Sequence, residues 1–202
     1  MKISDLKDKD VWSLFRKGEP GAFSFIYSTY SPALYRYGLK ITTHKALVED
    51  ALQDIFTELF KNRKKLGPTD NILFYLLKSY KRKLLRRIEA ESRYSMQEDQ
   101  DEYRFEVTWS VEHDLILEEI TQRKRELLKE ALEKLSPRQR EAIYLRFSKE
   151  LDYASVAGIM NISVEACRNL ISKAIRMMKQ WVDETGQNPL VLFLAALRKK
   201  RM

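Results

Sequence analysis

The chain has 202 residues, enough for one large domain or two small ones, and its 44% hydrophobic and 33% charged side chains exclude wholesale disorder. A net charge of +8 points to an anionic partner, either nucleic acid or an acidic membrane surface. The single cysteine, Cys167, excludes an internal disulfide, and the longest apolar run, Leu190 to Leu197, is too short to span a bilayer. No apolar stretch follows the charged N-terminus, so cytoplasmic residence is expected.

The charge is segregated along the chain. Residues 1–60 carry eight basic and eight acidic side chains, residues 61–93 eleven and three, residues 94–119 one and nine, residues 120–182 thirteen and seven. Two cationic modules separated by an anionic connector is the pattern to explain.

With only 6 glycines and 5 prolines and no sustained alternation, strand signals are nearly absent and helical periodicity dominates. Ser31-Pro32 predicts a helix start, serine as N-cap and proline at the first helical position. Thr43 is placed to cap the next helix, along which Val48, Leu52, Phe56 and Leu59 recur at helical spacing with Ala51 and Ile55 beside them. Gly67-Pro68-Thr69-Asp70 breaks the pattern, and Asn71 to Ile88 is helical again. From about 94 to 119 periodicity fails, which predicts a linker with some order around Trp109 and Leu115. Periodicity returns in Ile120 to Leu135, and Ser136-Pro137-Arg138-Gln139 has the form of a capping box. Asn188-Pro189 opens a tail helix with Leu190, Val191, Leu194 and Leu197 on one face, ahead of the basic run Arg198 to Arg201.

The sharpest constellation runs from Asp152 to Trp181. Asp152 can cap a short helix that buries Val156, Ala157 and Met160; Asn161 suits a turn needing positive φ; Ile162 fills the space between helices; Ser163 can cap a second helix. Gly158 weakens the first of these helices by about 1 kcal/mol relative to alanine. The inward stripe is expected at Cys167, Leu170, Ala174 and Met177. This is a helix-turn-helix pattern, with a small residue where the helices cross. The outward face of the second helix carries Glu165, Arg168, Asn169, Ser172, Lys173 and Arg176. Arginine can read guanine, asparagine adenine, and glutamate can accept from cytosine, so DNA binding is expected of this face.

The segment from Ala131 to Met178 resembles region four of extracytoplasmic-function sigma factors, carried by Leu135 to Phe147 and the Asn161–Val164 turn. LuxR-type regulators share this hairpin. The N-terminal half separates the two, because Phe23, Tyr27 and Tyr30, then Leu34 to Tyr37, then Glu49 to Phe56 resemble sigma region two. The resemblance implies an all-α protein of two small helical domains: region two over 18–93 and region four over 120–182, joined by the acidic linker 94–119, with an N-terminal segment 1–17 and an amphipathic tail 183–202. It also implies promoter DNA and core RNA polymerase as partners, an anti-sigma factor as a further one, and a monomer when polymerase is absent.

By the same resemblance, Asp50, Gln53, Asp54, Thr57 and Glu58 form an acidic face that docks on the clamp helices of the polymerase's largest subunit. Lys61, Lys64, Tyr75, Lys78, Lys81, Arg82 and Arg86 form a cationic track with interleaved aromatics, suited to single-stranded DNA at the minus-ten element. The loop 67–71 occupies the place where the family holds a flipped base. The family pattern has Trp near Tyr75, Asn near Arg82 and Asp near Arg86; two of these positions are basic here, which bears on which bases are read. The acidic connector is expected to thread the cationic active-site cleft and RNA exit path of the polymerase.

His44 and His113 are too far apart in sequence to suggest a zinc site, and no phosphate-binding glycine loop or nucleophile–base pair is apparent, so neither cofactor, metal nor enzymatic activity is expected. Two rival readings follow from the same residues. One is a helix-turn-helix regulator that binds palindromic operators without polymerase. The other is a sigma-like decoy that occupies an anti-sigma factor.

Overall fold

A computed structural model describes residues 2–94, 104–106 and 129–185, and all regular structure among them is helical. The chain divides into two compact units, Met1–Glu102 and Tyr103–Met202. The proposed order around Trp109 and Leu115 and the tail helix after Asn188 lie outside the described residues.

In the first unit a short 3-10 turn, Ile3–Asp5, precedes α1 (Asp8–Lys17). That helix ends at Gly18, whose φ of 94° is the left-handed conformation a helix C-cap needs. Val11, Trp12 and Phe15 of α1 are buried, so the N-terminal segment contributes to the core of this unit. Helix α2 (Pro20–Ile41) begins with proline in its first turn and continues through Pro32. The expected start at Ser31-Pro32 is therefore an interior position. An interior proline costs about 3 kcal/mol in a free helix. Here Ala22, Ile26, Leu34, Tyr37 and Ile41 form one buried stripe across it, and breaking the helix would remove half of that stripe from the core.

Helix α3 spans Lys45–Asn62, with His44 at its N-cap and no side-chain cap. Thr43, expected as the cap, is exposed; the hydroxyl of Thr42 instead accepts from the His44 amide at 3.2 Å, forming a local turn before the helix. A 3-10 turn, Arg63–Lys65, leads to the break at 67–70, and α4 runs Ile72–Tyr94. Helices α2, α3 and α4 interlock at one point: the Tyr80 hydroxyl donates to the Val48 carbonyl at 3.2 Å, directly over Gly38. A Cβ at Gly38 would collide with that hydroxyl, which explains glycine inside this helix.

In the second unit residues 129–133 are helical, with Ala131 and Leu132 buried. Ser136 and Gln139 form the expected reciprocal capping box at the start of α5 (Pro137–Ile143). The helix continues as a π turn, Tyr144–Ser148, and is followed by α6 (Tyr153–Met160) and α7 (Val164–Thr185). Phe105, within the stretch read as linker, is 0% exposed, with its ring 5.6 Å from that of Tyr144. Part of the connector thus supplies a core residue to the second unit.

Candidate nucleic-acid and partner interfaces

The helix-turn-helix is assembled by short-range hydrogen bonds. Asp152 accepts from the Ser155 amide at 2.7 Å and caps α6; the same bond holds its carboxyl below the usual range. Asn161 adopts φ 53° and ψ 51°, and Ser163 accepts from the Ala166 amide at 3.1 Å to cap α7. Val156, Ala157, Ile159 and Met160 are buried, while Ile162 is only half-buried.

The inward stripe of α7 differs from the expected one. It is Cys167, Ile171, Ala174 and Met178; Leu170 is half-buried and Met177 is 38% exposed, its sulfur accepting from the Gln139 side chain at 3.5 Å. Steps of four, three and four residues keep a stripe aligned over three turns at 3.6 residues per turn, and the stripe through Ile171 does this at every position. Burial pushes the Cys167 thiol up, so it stays neutral and acts as a small apolar residue.

The outward face stands as read: Glu165, Arg168, Asn169, Ser172, Lys173 and Arg176 are all exposed. One feature of it had no sequence signal. The Tyr153 ring lies close to two guanidinium groups, 5.0 Å from that of Arg146 and 5.7 Å from that of Arg168. Arg146 is itself fixed by donating to the Leu151 carbonyl at 3.1 Å. A side chain of α6 therefore supports an arginine of the recognition helix through a cation–π contact.

In the first unit Asp50, Gln53, Thr57 and Glu58 are exposed along α3 and Asp54 is half-buried. Three of these five are engaged by α4. Arg87 donates to Asp54 and reaches Asp50 at 3.5 Å, while Lys83 pairs with Glu58 and lies 3.8 Å from Asp54. The Arg87 hydrogen bond is the main cause holding the Asp54 carboxyl below its ordinary value, and the same bond raises the Arg87 guanidinium. Lys83 and Arg87, two of the eleven basic residues of the segment 61–93, thus fasten the acidic face of α3 to the cationic helix.

Beside this clasp, a groove of about 380 Å³ runs between α3 and α4, lined among others by Asn62, Tyr75, Ser79, Arg82 and Arg86. Lys61, Lys64, Lys78, Arg82 and Arg86 of the expected DNA track are exposed. Lys81 is a correction: it is 8% exposed and lies on the inner side of α4, next in sequence to the fully buried Tyr80. At 3.6 residues per turn Lys78, Arg82 and Arg86 share one face, and Lys81 falls about 100° from its middle. Tyr75 is half-buried, its ring 5.0 Å from that of Trp12, so part of it packs and part faces the groove. Phe74 is half-buried beneath Lys78, whose ammonium is 5.6 Å from the ring.

The loop between α3 and α4 is fixed from α1. The Trp12 indole donates to the Gly67 carbonyl at 2.8 Å, and Asp8 accepts from the Ile72 amide at 2.8 Å. Within the loop the Thr69 hydroxyl accepts from the Asn71 amide at 3.2 Å, and Asn71 caps α4 by accepting from the Phe74 amide at 2.8 Å. Asp8 and Trp12 were missed because each acts more than fifty residues away, beyond any local cap pattern.

No group of three or more potential metal ligands occurs among the described residues. A helix-turn-helix with an exposed recognition face, together with a second helical unit bearing a cationic helix, defines a helical DNA-binding protein. Family models for sigma-70 region 2 and sigma-70 region 4 match residues 26–94 and 125–178. The chain belongs to the sigma-70 family. It is 28% identical over 172 residues to the ECF RNA polymerase sigma factor BldN of Streptomyces coelicolor, covering 84% of this chain and 64% of that protein. The chain thus spans 64% of the length of the curated relative it matches. Two solved structures share the fold. The sigma factor RpoE from Bartonella quintana, in complex with the anti-sigma factor NepR, gives a TM-score of 0.56 at 18% identity, over 80% of this chain and 96% of that one. CnrH, in complex with the cytosolic domain of CnrY, gives 0.53 at 17% identity, over 88% and 97%.

Proposed function

We propose that this protein binds core RNA polymerase and directs it to promoters, acting as an initiation factor with no catalytic step of its own. The observation that carries this reading is the pairing, in one chain, of two unlike helices with exposed basic faces. Helix α4, with Lys78, Arg82 and Arg86 exposed, falls in the matched region 2, and α7, with its Arg168 face, falls in the matched region 4. An operator-binding regulator needs only the second.

In this reading the α3 face around Asp50, Gln53, Asp54, Thr57 and Glu58 meets the polymerase, where acidic and hydrogen-bonding groups suit an arginine-rich helix. Lys61, Lys64, Tyr75, Lys78, Arg82 and Arg86 track the melted minus-ten strand, with the loop 67–71 receiving an unstacked base. The α7 face reads the upstream element from the major groove. The site of action is the cytoplasm; among the described residues no helix is long and apolar enough to cross a membrane. An anti-sigma factor is the proposed regulatory partner, by analogy with RpoE, whose structure contains one.

Run-off transcription tests the reading. Purified core polymerase plus this protein, on DNA selected by the protein, is expected to give discrete transcripts that depend on two separated sequence elements. Binding of a palindromic site by a dimer, with no transcript when core is added, would instead establish the operator-binding rival.

A further inference from the structure

We propose that α1 is the positioning element of the loop Gly67–Asn71, with Trp12 and Asp8 holding its two ends in the conformation that meets unstacked DNA. The inference rests on the reading of the first unit as the promoter-opening unit, and adds to it two residues outside the matched region 26–94.

The two contacts fall on either side of the loop's turn. At its start the Trp12 indole N–H reaches the Gly67 carbonyl at 2.8 Å. The ring cannot drift, because it is 1% exposed and sits 5.4 Å from Phe15 and 5.0 Å from Tyr75. At the loop's end one Asp8 oxygen accepts from the Ile72 amide at 2.8 Å, and the other accepts from the Tyr30 hydroxyl at 2.9 Å. Burial first, then the Asp8 carboxylate, pushes the Tyr30 phenol up, so it remains a donor throughout the working pH range. Asp8 therefore fastens the first turn of α4 to both α1 and α2.

What is held faces outward. Gly67 and Pro68 are exposed, and a Cβ built at Gly67 would meet no atom within 4 Å. Packing does not require a bare backbone at Gly67, yet the buried Trp12 indole and the half-buried Asp8 carboxylate both hold the loop in place. A loop ordered during folding loses no further conformational freedom when a base arrives, so the contacts act on the opening step. Merely closing the core would not require an indole N–H; a phenylalanine would fill most of the same space.

The test compares holoenzymes carrying wild-type protein, Trp12→Phe or Asp8→Asn on two templates: a duplex promoter and the same promoter pre-melted by mismatches. Trp12→Phe keeps the packed ring and removes the donor; Asp8→Asn keeps an acceptor and removes the charge. Trp12→Phe is expected to slow open-complex formation on the duplex by about tenfold, as loss of one positioning hydrogen bond can. Asp8→Asn is expected to be milder, and both should recover to near wild-type rates on the pre-melted template, with unchanged affinity for core polymerase. Wild-type opening rates for Trp12→Phe on the duplex would overturn the proposal. So would an equal loss on both templates, which would mark Trp12 as a stability residue only. Failure of the wild-type protein to open any duplex promoter with core would instead remove the promoter-opening reading itself, whatever α1 does.

Discussion

In the proposed function Arg168 and Arg176, both exposed on α7 and two turns apart, have different tasks. Arg168 lies in the first two turns of the recognition helix, where side chains reach base edges, and its guanidinium rests 5.7 Å from the Tyr153 ring. Arg176 lies further along, where backbone phosphates are the nearer targets. Arg168→Ala is expected to cost about 1–3 kcal/mol on the preferred sequence and to flatten discrimination at one position of the upstream element. Arg176→Ala should weaken all promoters alike and lower the slope of log affinity against log salt by roughly one. Binding titrations across a salt series and a set of single-base promoter variants separate the two. Identical behaviour of the two variants would contradict the division.

The pairing of α3 with α4 sets what can be expected of the acidic face. Replacing Asp50 and Asp54 with lysine removes the groups proposed to meet polymerase and turns the Arg87 and Lys83 contacts repulsive. These pairs are solvent-screened, with Arg87 and Asp54 side chains 34% and 40% exposed, so the loss of fold stability should stay near 1–2 kcal/mol. Core association should disappear in a pull-down while the helical circular dichroism persists; retained association would move the docking face elsewhere. The pH dependence has a definite sign. The Asp54 carboxyl is held below its ordinary 3.8 by the Arg87 hydrogen bond. Its contribution is therefore present above the ordinary value and lost as pH falls through the lowered one. Thermal melts should show Asp54→Asn less stable than wild type at neutral pH, by under about 1 kcal/mol after screening, with the two curves converging in strong acid. A gap that persists or widens in acid would show that the carboxylate is not the cause.

At the scale of the whole molecule the connector has two separable roles. Phe105 belongs to the second unit's core, so Phe105→Ala should destabilise that unit by about 3–5 kcal/mol through lost burial and a cavity beside Tyr144. Two-transition unfolding, with only one transition shifted, would report this; no shift would mean that the Phe105 site collapses without cost. The surplus of nine acidic over one basic residue across 94–119 is a different matter, because it would repel DNA between two DNA-binding modules. In the proposed function it occupies the cationic path through the polymerase until RNA displaces it. Neutralising Glu98, Asp99, Asp101 and Glu102 at constant length is then expected to weaken holoenzyme assembly or change the yield of abortive transcripts. A passive spacer would tolerate the change in both measurements.

Apart from the Thr43 cap and the Ser31-Pro32 start, the sequence alone determined what depends on neighbours within a few residues. The Asp152, Ser163 and Ser136–Gln139 caps, the left-handed Asn161 and the exposed row from Glu165 to Arg176 were all legible, because a cap or turn is a contact across three or four positions. The two cationic modules were legible for a similar reason, since net charge is a sum along the chain. Tertiary packing decided the rest. Pro32 stays inside α2 because the buried stripe on either side of it outweighs a lost hydrogen bond. Ile171 and Met178, rather than Leu170 and Met177, turn inward because neighbouring apolar residues compete for one face and only the packed surface opposite selects between them. Lys81 is buried because α4 is packed along more of its circumference than a simple amphipathic pattern suggests. Arg87 meets Asp54 across 33 residues, and Asp8 caps a helix 64 residues away. Those partners are chosen by the fold, since residues so far apart in sequence become neighbours only after the helices between them have packed.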